Sequence, residues 1–201
     1  LISCTDGNGH DNVMTAAWAG TVCSDPVMVS VSIRKSRYSH AMIAKTREFV
    51  MNLTTEEMVR AVDYAGIYSG AKVDKFELPG QLHMTREKAH VVNAPCIAES
   101  PLCLECRVTQ ILELGSHDMF LAEVVSTDID ERLLDEKGTL DLSRAKLLAY
   151  SHGEYWTLGR KVGKFGFTSL KSEKENNLKE KRKRNPDRSY KGRKKSRNHQ
   201  K

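Results

Sequence analysis

The chain has 201 residues, 39% of them hydrophobic, and a formal net charge of +6; that length suits one domain with a proper core, or one domain and a tail. The charge is lopsided: residues 171–201 hold 14 Lys+Arg against 4 Asp+Glu, leaving residues 1–170 at −4. The basic pI therefore describes the tail, and it gives no ground for reading the body as a nucleic-acid binder.

No run of about 18 apolar residues is present, which excludes a transmembrane helix, and no signal peptide is visible. The chain opens at Leu1 inside an apolar stretch, so a leading segment is expected to be missing. Five cysteines, an odd and scattered set, point to reduced thiols and a cytoplasmic setting.

In chain order, residues 1–4 read as the end of a strand and Asp6-Gly7-Asn8-Gly9 as a turn. Residues 13–19 read as the returning strand, broken at Asp25-Pro26. Residues 27–34 alternate, with Val27, Val29, Val31 and Ile33 on one face and Met28, Ser30, Ser32 and Arg34 on the other. Ser36 or Ser39 is placed to cap a short helix through residues 42–46. A strand follows at residues 49–53, then a helix capped by Thr54 or Thr55. Residues 66–100 are loop-rich, and residues 102–114 and 119–128 form two more strands joined at Gly115-Ser116-His117-Asp118. A short helix is expected near residues 142–147, and a last strand within 161–170. Hairpin-linked strands with a few short helices, and no regular strand–helix alternation, give a mainly β barrel and not a doubly wound sheet. The domain is bounded at residues 1–168, with a basic low-complexity tail, expected to be disordered, at 169–201.

Two segments carry chemistry. Thr15, Ala16, Ala17, Ala19 and Gly20 leave the backbone nearly bare, with Trp18 beside it. A flat heterocycle can approach such a backbone closely; the same run also suits a strand packed tightly under a helix. Ser30, Ser32 and Arg34 share one face of a strand and span roughly 13 Å, about the length of a ribityl chain with its phosphate. Arg34, Lys35 and Arg37, with Ser36 and Ser39, then sit where a strand ends and a helix begins. That is a natural phosphate site, or a solvated basic loop.

NVMTAAWAG, the SDP turn, VSVSIRKSRYSH and FVMNL, followed by DKF, AES, GSHD and AYSHGEYW, resemble the flavin reductase-like, FMN-binding split-barrel family over roughly residues 1–168. That family includes flavoredoxins, an archaeal ferric reductase and NAD(P)H:flavin oxidoreductases. The resemblance implies a six-stranded split β-barrel that forms a homodimer with FMN near the interface. Asn12, Met14, Thr15, Ala16, Ala17 and Trp18 would line the isoalloxazine. Ser32, Arg34, Lys35, Tyr38 and Ser39 would hold the ribityl phosphate, with Asn52 in support. His117 and the Tyr150, His152 and Tyr155 group would surround the face where NADH or NADPH docks. No side chain is required as a catalytic acid, because the cofactor carries the chemistry.

Other motifs resolve differently. Cys103 and Cys106, three apart in a strand, point to opposite faces, so they form neither a metal site nor a disulfide. Cys23 reads as a small packed residue that is also near enough to the expected flavin to approach it. His117 and His152 are as consistent with idle turn histidines. No G-x-G-x-x-G is present, and the Gly159–Lys164 stretch falls one residue short of a P-loop. The tail, with KEKRKR and GRKKSR, is either a solubility device or a handle for nucleic acid or another polyanion.

The expected activity is an NAD(P)H-dependent flavin or ferric reductase, passing electrons to free flavin, ferric iron or a redox protein. A flavoredoxin-like FMN electron carrier without nicotinamide turnover, or a flavin-storage module, are the alternatives.

Overall fold

A computed structural model describes residues 1–78 and 82–169. The chain falls into two compact units, Leu1–Leu158 and Gly159–Lys201. Of the second, residues 161–169 hold turns and a short helical stretch instead of the expected last strand. Gly163 and Gly166, the latter at φ 80°, interrupt any extended run there. The basic tail, and with it any polyanion site, lies outside the described residues.

The first unit is mainly β. Its strands are β1 (Ile2–Thr5), β2 (Asp11–Met14), β3 (Ala19–Ser24), β4 (Val27–Arg34), β5 (Glu48–Asn52), β6 (Arg86–Glu87), β7 (Cys96–Ile97), β8 (Leu102–Glu113), β9 (His117–Ile129), β10 (Leu148–Ser151) and β11 (Glu154–Thr157). Two helices, α1 (Tyr38–Thr46) and α2 (Val59–Ile67), join them. The main sheet has seven antiparallel strands in the order β2-β1-β5-β8-β9-β4-β3. β2 and β3, neighbours in sequence, are thus its two outer strands.

That arrangement corrects two expectations. The run read as one strand over residues 13–19 is two: β2 ends at Met14 and β3 starts at Ala19. Between them Thr15 bonds to α2 through the Val62 carbonyl and Ala16 packs on the main core, so the chain crosses from one edge of the sheet to the other instead of pairing as one extended strand. The main sheet therefore counts seven strands and not six. The turn before β9 is also shorter than expected, because His117 and Asp118 already belong to that strand.

The helix starts differ as well. Arg37 stands at the N-cap of α1 with extended backbone and no side-chain cap, while Ser39 lies inside the first turn and is buried. Ahead of α2, Thr55 opens a 3-10 turn over Glu56–Met58 without capping it; the Glu56 N–H donates instead to the Lys146 carbonyl at 2.9 Å. The aromatic segment near residue 150 is a hairpin, β10 against β11.

The alternation read in β4 holds where it matters: Val29, Val31 and Ile33 are buried, while Val27 at its start is exposed. They join Phe49, Phe120, Ile43 and Cys106 in the main core. Cys103, on the other face of β8, packs with Val50, Ala89 and Val92. A third cluster, with Val13, Val62, Ala65 and Leu82, seats α2 against β2.

Candidate functional site

Residues 15–18 bridge the two edges of the sheet. The Thr15 hydroxyl donates to the Val62 carbonyl, tying the bridge to α2. Ala16 rests on the main core. Ala17 and Trp18 are exposed, and the Trp18 carbonyl accepts from the Ser32 N–H at 2.9 Å. Over residues 15–17 the seam consequently presents main chain with little side chain over it, and the exposed Trp18 stands beside that stretch.

A cleft of about 280 Å³ adjoins the seam and is lined by Asn12, Met14, Arg37, Ser39, Gly70 and Lys75, among others. Its polar residues are locked together. The Asn12 amide donates to the Ser39 hydroxyl at 2.8 Å. Lys75 Nζ donates to the Val13 carbonyl at 2.6 Å and stands 3.3 Å from Asn12 Oδ1. Gly70 lies against the Asn12 amide so closely that a Cβ there would collide with it. Lys75 is only 2% exposed. Burial pushes its ammonium down to about 8; Cys4 opposes that shift in smaller measure, and the Arg37 cation adds to it. Burial likewise pushes the neighbouring Cys4 thiol up to about 12. Among the described residues, no carboxylate lines the cleft.

The structure brings some sequence-derived site residues together and separates others. Asn12, Met14, Tyr38 and Ser39 line the cleft. Trp18, His117 and Arg34 form a second group: the Trp18 and His117 rings are 4.6 Å apart, and His117 pairs with Arg34 across β9 and β4. Ser32 joins this group through Trp18. Lys35 is turned to acids, 2.8 Å from Glu113 and 3.4 Å from Asp118, and the Glu113 contact above all raises its pKa. Asp118 also meets His40 at 2.8 Å.

Asn52 is fully enclosed. It donates to Ser3 Oγ, the Val50 carbonyl and the Leu1 carbonyl, and accepts from the Ile97 N–H at 3.0 Å. It holds β1, β5 and β7 in place. His152 sits in the β10–β11 turn at φ 49°, and Tyr155 donates to Asp63 of α2 at 3.0 Å; burial first, then Asp63, pushes that phenol up to about 12. No hydrogen bond, ion pair or ring contact among the described residues joins this hairpin to His117.

Sequence reasoning missed Lys75 and Gly70. Each stands alone in the loop after α2, outside any periodic pattern, and the DKF triplet marks Lys75 without revealing its burial. A larger polar cleft of about 530 Å³ includes Arg132, Arg144 and Glu99. These three are engaged by neighbours: Arg132 with Asp130 at 3.0 Å, Arg144 with Asp141 at 3.7 Å, and Glu99 with Thr85 at 2.7 Å.

The flavin reductase like domain model matches residues 1–159. The chain is similar to the flavoredoxin of Desulfovibrio vulgaris (Miyazaki F), with 31% identity and a TM-score of 0.76 over 84% of this chain and 90% of that one. It is similar to an FMN-binding protein from Thermus thermophilus, with 25% identity and a TM-score of 0.69 over 81% of this chain and 86% of that one. In sequence it is 34% identical over 119 residues to the reductase component of a 4-nitrophenol 4-monooxygenase/4-nitrocatechol 2-monooxygenase of Rhodococcus opacus, covering 58% of this chain and 59% of the relative.

Proposed function

The chain belongs to the flavin reductase like domain family, and on that premise we propose that it is an FMN-binding oxidoreductase. It takes hydride from NADPH or NADH and hands electrons to free flavin, ferric iron or a redox protein, among which a partner oxygenase is one acceptor class. The observation that carries this reading is the meeting of two features at one seam: bare backbone over residues 15–17, with Trp18 beside it, and a neighbouring cleft lined by Arg37 and Lys75 and, among the described residues, by no carboxylate. The first suits a flat ring and the second its anionic tail.

When bound, the flavin supplies the hydride-accepting and electron-donating chemistry. The chain's own residues bind and orient. Asn12 and residues 14–18 would lie along the ring, and Tyr38, Ser39 and Arg37 would hold the phosphate. Ser32 and Arg34 flank the far side of the seam, where the Trp18–His117 pair borders the approach of a nicotinamide; His152 and Tyr155 would reach that approach only from a second copy or after a shift of their hairpin. A homodimer would close the exposed β3 edge. The five thiols, all free, fit a reducing cytoplasm.

The test is the visible spectrum of the purified protein, repeated without oxygen after adding NADPH or NADH. A flavin spectrum that bleaches within the mixing time is the expected result. The absence of flavin, even after incubation with FMN, overturns the reading. A second reading, a carrier reduced by another protein, draws on the likeness to a flavoredoxin; its mark is a flavin spectrum that neither nicotinamide bleaches.

A further inference from the structure

All five cysteines are free, and two of them meet. Cys96 of β7 and Cys103 of β8 are 1% and 4% exposed and belong to one cluster with Val50, Ala89 and Val92. The Cys96 thiol donates a hydrogen bond to the Cys103 sulfur. The Cys103 thiol in turn stands 3.2 Å from Asn52 Oδ1, which accepts its proton.

The pair also has an entrance. Cys103 lines the polar cleft of about 530 Å³, and residues 97–101, from the loop that joins the two cysteines, form part of its wall. Cys96 is not among the lining residues. This cleft and the one beside the seam share no lining residue, so the dithiol is separate from the site assigned to the flavin.

The two sulfurs are unlike. The hydrogen bond from Cys96 is the main influence lowering the Cys103 pKa; the Ser100 hydroxyl and the Ile97 N–H add to it, and burial and Asp128 oppose it. The same hydrogen bond, together with burial, raises the Cys96 pKa. Burial pushes Cys4 and Cys106 up to about 12. The thiolate is the nucleophile in thiol chemistry. Among the four buried cysteines, reactivity therefore concentrates at Cys103, with a proton-holding thiol beside it. That is the division of labour between an attacking and a resolving cysteine.

We propose that Cys96 and Cys103 are a redox-active dithiol, oxidised to a disulfide by a small hydroperoxide that enters through the cleft. The Cys103 sulfur attacks the peroxide: an S–O bond forms as the O–O bond breaks, and the alcohol, or water from hydrogen peroxide, leaves with the thiol's proton. The Cys96 sulfur then attacks Cys103: the S–S bond forms, the S–O bond breaks, and water leaves with the Cys96 proton. Two electrons pass from the thiols to the peroxide, and a thiol reductant reverses the change. The new bond ties β7 to β8 along the cleft wall and removes the S–H that Asn52 accepts.

The experiment treats the full chain, reduced and freed of reductant, with stoichiometric hydrogen peroxide and counts its thiols after unfolding. The expected result is the loss of two of the five thiols, a mass decrease of about 2 Da, and full recovery with dithiothreitol. Cleavage after Glu99 and Glu105 puts Cys96, Cys103 and Cys106 on separate peptides, so mass spectrometry reads directly which pair is joined. In Cys96→Ser the resolving thiol is gone, and the expected product is a sulfenic acid at Cys103, trapped by dimedone as the protein is unfolded. Cys103→Ser should form no disulfide within the chain. The wild-type arm needs no variant to fold. Five thiols that survive a peroxide dose sufficient to oxidise free cysteine, or a bond that does not join Cys96 to Cys103, overturns the proposal. A dimedone label absent from Cys103 in Cys96→Ser overturns its role as the attacking residue.

Discussion

Glu105 and Lys75 are both buried in this domain, and they are finished differently. Glu105 of β8 is fully enclosed and accepts the backbone N–H groups of His90, Val91 and Val92 at 2.9, 2.7 and 3.0 Å. Burial by itself would raise its pKa, but those hydrogen bonds outweigh it and hold the carboxyl below its ordinary value. Lys75, nearly as enclosed, meets only neutral acceptors. The carboxylate is complete within the chain and clamps the loop over residues 90–92 to the sheet. The ammonium is incomplete within the chain and faces a cleft. A buried polar group whose partners are all internal maintains the fold, and one whose charge lacks a partner marks where something else binds.

The largest expected effect tests that contrast directly. Glu105→Ala leaves three N–H groups without their acceptor and should cost about 3–5 kcal/mol of unfolding free energy in a urea titration. Lys75→Met removes an uncompensated charge but leaves the Val13 carbonyl and Asn12 Oδ1 without their donor, so the two effects offset and the net change should stay within about 1 kcal/mol. Equal losses in the two variants would break the comparison. Its pH counterpart has a definite sign. Because the folded Glu105 pKa lies below the unfolded value of about 4.3, its contribution is present above that value and is lost as pH falls through the folded pKa. Glu105→Gln should therefore flatten the fall of stability between about pH 5 and 3; an unchanged slope would place the acid sensitivity elsewhere.

Next in size is Asn52→Ala. It strips the Ile97 N–H of its acceptor and frees Ser3 Oγ and the Val50 carbonyl, at a cost of about 2–3 kcal/mol. Since Asn52 is a fold residue on this reading, FMN affinity measured well below the unfolding transition should stay within about twofold. Gly70→Ala is the mirror case. Its new Cβ displaces the Asn12 amide, which should cost about 1–2 kcal/mol in stability and weaken FMN through Asn12 and its hold on Ser39 and Lys75. A Gly70→Ala protein with wild-type FMN affinity would show that Asn12 is not part of the binding surface.

Much of this was legible in the sequence, for local reasons. The period-two pattern of residues 27–34 and the turn chemistry of residues 6–9 report β4 and the β1–β2 hairpin directly, since both depend on near neighbours. The NVMTAAWAG run marks the seam, because bare backbone is a property of the residues themselves. Three things were not legible. That residues 13–19 divide into two strands depends on where the sheet's edges fall. That Lys35 turns to Glu113 depends on the register of β8 against β9. That Lys75 is buried depends on a loop after α2 folding over β2. A basic residue beside a strand end looks the same in sequence whether its partner is an acid on a neighbouring strand, water, or a ligand.

The smallest expected effects separate Arg34 from Arg37, which sequence spacing treats as members of one basic group. Arg37 lines the cleft beside Lys75, whereas Arg34 is exposed at the end of β4 opposite His117. A cation in a cleft shared with a phosphate is worth more than one in open solvent, where screening leaves it about 0–1 kcal/mol. Arg37→Ala should thus weaken FMN by about tenfold, and Arg34→Ala by about threefold or less, with riboflavin insensitive to the first. Raising ionic strength should narrow the Arg34 effect more than the Arg37 effect, because Arg34 is exposed and Arg37 half-buried. The reverse ranking would move the phosphate to the Trp18–His117 side of the seam and leave the cleft around Lys75 for a different anion.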